Sequence, residues 1–265
     1  MREFTKCVLK EDHGLLLDLP ADVLCPMVTV RLNYVKWVEQ LVASVIAPST
    51  STSATDAGPR GIDVGTGASA IYLLLCLSRN ATWTMAGSDV SAYGLQWAQR
   101  NVDANGLTAR VRLVAVDGAS VLTEVVDKDS NGQDGHGGRQ YAFVMCNPPF
   151  YEDRAEMDRL KDDKRLPPNS AFTGSANEIG TPGGEVAFVK RMVAESALPR
   201  LRNRVAWFTS KLGIKASVAA IEEALRAVEG VKGVCTTVFE QGKTRRWGIA
   251  WSFTQTVPTR LSVRN

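Results

Sequence analysis

The chain has 265 residues, 45% of them hydrophobic and 22% charged, with a formal net charge of +3. That length and composition suit one soluble α/β catalytic domain with insertions, and a charge so close to zero does not by itself argue for nucleic acid, so any basic surface has to be local. Five scattered cysteines (Cys7, Cys25, Cys76, Cys146 and Cys235) form no C-x-x-C pair and read as reduced thiols of an intracellular protein, not as a disulfide or zinc framework. The opening MREFTK lacks the apolar core of a signal peptide. The longest apolar run, Ile71 to Leu77, is too short to span a membrane.

Residues 1–47 form a first, helical segment. In RLNYVKWVEQLVASVIA the residues Leu32, Val35, Val38, Leu41, Val42 and Val45 recur at helical spacing, and Pro48 ends the helix. The polar stretch 48–59 reads as a linker, and 60–265 as the catalytic domain. There GIDV predicts a first strand, SAIYLLLCL a buried helix and TWTMAGSD a second strand. Ser91 can cap the next helix and Gly106 can end it. VRLVAV and YAFVMC predict strands three and four, separated by a polar insertion at 127–140. A charged loop, rich in Pro and Gly, follows at 151–184 and is long enough to be functional. EVAFVKRMVAESAL and SVAAIEEALRAV read as helices flanking the strand RVAWFTS. VCTTVFE and WGIAWSF close the chain as a hairpin. The alternation predicts a doubly wound, mostly parallel sheet with a C-terminal antiparallel hairpin and an N-terminal helical segment.

Asp63-Val64-Gly65-Thr66-Gly67-Ala68-Ser69 follows the first strand and opens a helix. Glycines let the chain turn tightly and a ligand come close, while the helix start offers free N–H groups. Asp89 ends the second strand, where a carboxylate can accept ribose hydroxyls; it can equally cap the next helix. The loop indicates a cofactor of adenosine type, and a nicotinamide dinucleotide fits it as well. No Gly-Lys-Ser/Thr follows, so it is not a P-loop.

Asn147-Pro148-Pro149-Phe150 follows the fourth strand directly. In an open α/β sheet, ligands bind beyond the carboxyl ends of the strands, so this motif and the glycine loop should share one crevice. An aromatic amine is a poor nucleophile because its lone pair is delocalised. The Asn147 side-chain oxygen and the Pro148 carbonyl can hold its two N–H bonds and draw the nitrogen towards a tetrahedral shape. Proline restricts both its own φ and the residue before it, which pre-positions these acceptors. Phe150 can stack on an extruded base. The methyl donor would be the sulfonium of S-adenosylmethionine, attacked in line. A nicotinamide enzyme leaves this motif unexplained. A protein glutamine methyltransferase stays open, although its motif usually ends in Tyr.

Basic residues cluster at Lys161, Lys164 and Arg165 in the long loop, at Lys190 and Arg191, and at Lys243, Arg245 and Arg246 in the hairpin turn. Each cluster can contact phosphates or can simply be a solvated face. His13 and His136 are the only histidines, and neither pattern suggests a catalytic or metal site. Trp83, Trp97, Trp207 and Trp251 read as core, with Trp247 open to another role.

LKEDHGLLLDLP, RLNYVKWVEQL, GIDVGTGASAIYLLL, MCNPPF, GGEVAFVKRM and RRWGIAWSF together resemble the methyltransferase-like protein 16 family. The resemblance runs from about Leu9 to Phe253 and extends to the bacterial ribosomal RNA large-subunit adenine methyltransferase F. It implies a class I Rossmann-like fold and S-adenosylmethionine-dependent methylation of adenosine N6 in an RNA hairpin, with no metal. U6 small nuclear RNA is the family's substrate, which implies a nuclear location. On this likeness Arg31 meets the cofactor carboxylate and Gly65 and Ser69 line its methionine part; Asp63 and Gly67 of the same loop are further cofactor-binding candidates. Asp89 holds the ribose, and Asp117 to Ser120 lie beside the adenine. Lys243 and Arg246 match RNA-contacting positions. Ala119 stands where the eukaryotic branch carries a restraining lysine. An RNA-binding protein with secondary or lost methylation is the remaining alternative.

Overall fold

The computed structural model describes residues 2–45, 58–129, 141–149, 182–242 and 244–257. Two helices open the chain, α1 (Arg2–His13) and α2 (Val28–Val45). Helix α2 buries Tyr34, Val35, Val38, Leu41 and Val42, a stripe at three- and four-residue spacing that faces the sheet. It begins three residues before the RLNY block, directly after the Pro26-Met27 step.

Strands β1 (Arg60–Val64), β2 (Thr84–Asp89), β3 (Val111–Ala115), β4 (Tyr141–Cys146), β5 (Val205–Leu212), β6 (Gly233–Gln241) and β7 (Thr244–Ser252) form one sheet. Their order is β3-β2-β1-β4-β5-β7-β6. The first five are parallel, and β7 runs antiparallel to both β5 and β6. This is the doubly wound sheet with a terminal antiparallel hairpin that the alternating pattern predicts. Helix α3 (Ile71–Arg79) buries every residue from Ile71 to Leu77, as its unbroken apolar run requires. Helix α4 (Ala92–Ala104) starts at Ser91, whose hydroxyl accepts from the Gly94 N–H at 3.0 Å. Gly106 lies just beyond its end with φ +66°.

Helices α1 to α4 cover one face of the sheet. Helices α5 (Thr123–Asp129), α6 (Gly184–Ser196), α7 (Pro199–Arg202) and α8 (Lys215–Arg226) cover the other. Alternate strand residues feed the two cores. Phe143 and Met145 of β4 enter the first, while Val144 and Cys146 enter the second. The first core also joins Tyr34 and Trp37 of α2 to Phe239 of β6, so the N-terminal helices lie directly on the sheet.

One boundary differs from expectation. Residues 127–129 of the predicted polar insertion belong to helix α5, and Asp129 is fully buried. Its carboxylate pairs with Arg60 and accepts from the Tyr141 hydroxyl at 2.6 Å. An aspartate in a polar run gives no hint of burial, because the partners of Asp129 lie on β1 and β4. The remainder of the insertion, the linker positions 48–57 and the loop positions 151–181 lie outside the described residues. Trp83, Trp207 and Trp251 are buried as core, and Trp247 is half-buried against the second core. Trp97 is half-buried and carries the Arg100 guanidinium 4.6 Å from its ring centre. All five cysteines are free thiols, with Cys76 and Cys146 buried. Among the described residues no helix is long and apolar enough to cross a membrane.

Candidate active site

Parallel strands β1, β2, β3, β4 and β5 all deliver their carboxyl ends to one edge, and a cavity of about 540 Å³ opens there. That size suits a small-molecule cofactor. The floor is the glycine loop. Gly65 and Gly67 adopt φ of +72° and +62°, which a side chain would strain, and a Cβ on Gly65 would meet open space. The Gly65 and Thr66 N–H groups both donate to the Ser88 carbonyl at 2.9 Å, tying the loop to β2.

Asp89 ties the glycine loop to the start of α4 and faces the cavity. One carboxylate oxygen accepts from the Gly67 N–H and the other from the Ser91 N–H, each at 2.8 Å, and the side chain still lines the cavity. Asp63 sits below the loop, fully buried, and accepts from the Thr66 hydroxyl at 2.6 Å. Burial pushes its carboxyl up to about 7; the Thr66 hydroxyl opposes this and Asp89 adds to it. Asp63 therefore shapes the loop from beneath and is not part of the cavity wall.

Arg31, Gly65, Gly67, Ser69, Asp89, Ser120, Asn147, Pro148 and Pro149 all line this one cavity, so most of the residues singled out in the sequence converge. Asp117 does not line it. Its exposed side chain accepts from the Ala119 N–H at 2.7 Å and folds the loop after β3, whose Gly118, Ser120 and Val121 form the wall. The Arg191 guanidinium, from α6, donates to the Gly118 and Ala119 carbonyls at 3.0 and 3.1 Å. Arg191 also lines the cavity.

Strand β7 runs backwards, so its first residues return to the same edge: Trp247 pairs with Leu212, the last residue of β5. This carries Arg246 into the cavity wall. Arg245, one residue away on the alternating strand, points outward and pairs with Glu240 at 2.8 Å. It does not join the cavity. Phe150, Lys161, Lys164, Arg165 and Lys243 lie outside the described residues.

Three parts of the site escape a sequence reading. The segment Asp22 to Met27 forms a lip of the cavity, held by the Arg2 guanidinium through the carbonyls of Leu19, Pro20, Ala21 and Val23. Tyr34 reaches across the sheet edge to Cys146, immediately before Asn147. Lys211, 5% exposed, donates to Asn147 Oδ1 at 2.9 Å and also lines the cavity. A lysine inside the apolar strand RVAWFTSKL was the available signal for the last of these.

A family model described as RNA methyltransferase matches residues 1–255. The chain is 38% identical to the RNA N(6)-adenosine-methyltransferase METTL16 of Mus musculus, over 100% of this chain and 45% of that protein. It is 34% identical to the U6 small nuclear RNA (adenine-(43)-N(6))-methyltransferase of Drosophila melanogaster, over 96% of this chain and 78% of that protein. The chain thus spans about half the length of the vertebrate relatives it matches. Among solved structures it superposes on the hMettl16 catalytic domain in complex with MAT2A 3'UTR hairpin 1, with a TM-score of 0.80 at 38% identity, covering 97% of this chain and 82% of the other. The N-terminal domain of human METTL16 in complex with SAH gives a TM-score of 0.71 at 34% identity, covering 96% and 82%. A match over nearly the whole length, on a chain whose glycine loop and Asn-Pro-Pro motif open on one cavity, makes this chain a member of the RNA methyltransferase family.

Proposed function

We propose that the chain binds S-adenosylmethionine in this cavity and catalyses transfer of its methyl group to the N6 amine of an adenosine in a structured RNA, U6 small nuclear RNA being the finer target. One observation carries the reading: Asn147 and Pro148, at the exit of β4, face the same cavity as the glycine loop at the exit of β1.

The residues present fit the cofactor. The Arg31 guanidinium offers a cation for its carboxylate, and Asp89 keeps lone pairs for the ribose hydroxyls after its two backbone bonds. Backbone can approach closely at Gly65, where no side chain intervenes. When bound, the cofactor supplies an electrophilic methyl group on a sulfonium. The chain's part is to hold the amine: Asn147 Oδ1 and the Pro148 carbonyl accept its N–H bonds, and the rigid Pro-Pro step holds them in place. Preorganised acceptors of this kind carry most of the rate in a transfer that needs no strong base in the attacking step. Arg191 and Arg246 on the cavity wall supply cations for RNA phosphate. The relatives named for U6 support the finer target and, with it, a nuclear site of action.

The test is methyl transfer from labelled S-adenosylmethionine to a U6-like hairpin, beside a matched hairpin lacking the target adenosine. Transfer to the first alone is the expected result. Transfer to neither RNA, with labelling of a glutamine-containing protein substrate, would overturn the reading.

A further inference from the structure

Lys211 is an unusual component of a strand. Every residue of β5 except Ala206 is buried, and Lys211 shares that burial with its neighbours Ser210 and Leu212. Its ammonium is surrounded by groups from four directions: Asn147 after β4, Arg31 from α2, Arg246 from β7 and Glu185 from α6. Two of these are cations. Glu185, the carboxylate among these four, also accepts from the Gly213 and Ile214 N–H groups and from the Ser217 hydroxyl. Burying an ammonium beside two guanidiniums is costly, and an apolar side chain of similar length would fill the same space without that cost. What an apolar side chain cannot supply is the 2.9 Å bond to Asn147 Oδ1.

That bond selects between two nearly isosteric states. The ends of an asparagine amide have almost the same shape, one accepting and one donating. A charged ammonium only donates, so the end of Asn147 facing Lys211 is its oxygen. The oxygen has two lone pairs, and one remains for an incoming amine. We infer that Lys211 is a positioning residue, whose ammonium holds the Asn147 side chain in the orientation that presents Oδ1 to the substrate amine. The inference rests on the reading of Asn147 as an amine acceptor and gives that reading a means of control.

The hold depends on charge. Burial above all, then Arg31 and Arg246, push Lys211 down to about 7, with Glu185 opposing. Below that pH the ammonium donates strongly to Oδ1. Above it the neutral amine carries a lone pair and can accept from Nδ2, so the amide is free to turn over. A positioning role thus gives an activity that falls as Lys211 loses its proton. A role as acceptor of the substrate's proton would give an activity that rises.

The experiment follows single-turnover methyl transfer to the hairpin from about pH 6 to about pH 9, spanning the ionisation, for the wild type, Lys211→Met and Lys211→Arg. Lys211→Met is expected to lose about 10- to 100-fold in rate, the cost of a misplaced reacting group, with cofactor affinity little changed and the alkaline fall abolished. Lys211→Arg, a permanent donor, is expected to recover part of the rate and stay flat across the range. Wild-type rate and profile in Lys211→Met would overturn the inference, as would a wild-type rate that rises through neutrality and loses the rise in the variant. The side-chain amide resonances of Asn147, compared by NMR in wild type and Lys211→Met with no RNA present, decide the contact separately. One sharp pair in the wild type, shifted or doubled in the variant, supports it, and an unchanged pair overturns it. An enzyme that fails on RNA but shows this difference would sink the substrate reading and leave the Lys211–Asn147 contact standing.

Discussion

The Tyr34 hydroxyl accepts the Cys146 N–H at 3.2 Å and lies 2.7 Å from Thr209 Oγ1, bridging the end of β4 to β5. Thr209 in turn donates to the Val144 carbonyl at 3.0 Å. The paired register between β4 and β5 reaches Val144 and Phe208. Beyond it, where the strands part to make room for Asn147, side-chain hydroxyls take over from the ladder. Helix α2 thereby anchors the backbone one residue before the candidate amine acceptor.

Tyr34→Phe keeps the ring and removes that bridge, leaving the Cys146 N–H and the Thr209 hydroxyl buried without it. A loss of about 1–3 kcal/mol is expected, the cost of stranding buried polar groups. Urea unfolding of the two proteins measures it, and a variant as stable as the wild type would assign the bridge no energetic role.

Asp63→Asn tests the floor of the glycine loop. The carboxyl sits at about 7 in the folded chain against 3.8 ordinarily, so the folded state binds the proton more tightly. Its contribution to stability is fully present below about pH 4 and is lost as pH rises through about 7. Asparagine still accepts from Thr66 and does not titrate. The variant should therefore gain on the wild type by up to a few kcal/mol between those pH values, read from denaturation midpoints at each pH.

Asn147→Ala removes the side-chain acceptor and leaves Arg31, the glycine loop and Asp89 in place. Methyl transfer should fall by about 10²-fold or more, while calorimetric affinity for S-adenosylmethionine changes little. Full transfer by this variant would remove Asn147 from the mechanism.

Arg245 and Arg246 are neighbours with different expected effects. Arg246→Ala takes a cation from the cavity wall and should weaken hairpin binding by about 10-fold, the value of one charge-assisted contact, with a shallower salt dependence. Arg245→Ala removes only an exposed pair with Glu240 and should stay within about 2-fold. Fluorescence anisotropy across a salt series distinguishes the two.

The mostly parallel sheet, its terminal hairpin and the two motifs were legible because they are local signals. Apolar runs of strand length, a glycine loop between strand and helix, and Asn-Pro-Pro after YAFVMC each sit within a few residues. Ser91 and Gly106 marked the ends of α4 for the same reason. What escaped was decided at long range. Asp129 is buried because Arg60 and Tyr141 wait on other strands, and Lys211 bonds to Asn147, 64 residues earlier. The outward turn of Arg245 depends on the register of β6 against β7. Asp117, which the resemblance puts beside the cofactor, turns its side chain to the Ala119 N–H of its own loop.

The contacts of Tyr34 and Trp37 with Phe239, at ring separations of 5.8 and 6.0 Å, join the two ends of the chain in one aromatic cluster. Contacts so distant in sequence close the largest loops and form late, which slows folding. Helix α2 also packs against α1, α3, β4 and β5, so the emergence of Phe239 completes a seat that earlier elements have begun. The same stitch means that trimming the N-terminal helices would uncover Phe239 and the apolar face of the sheet around it.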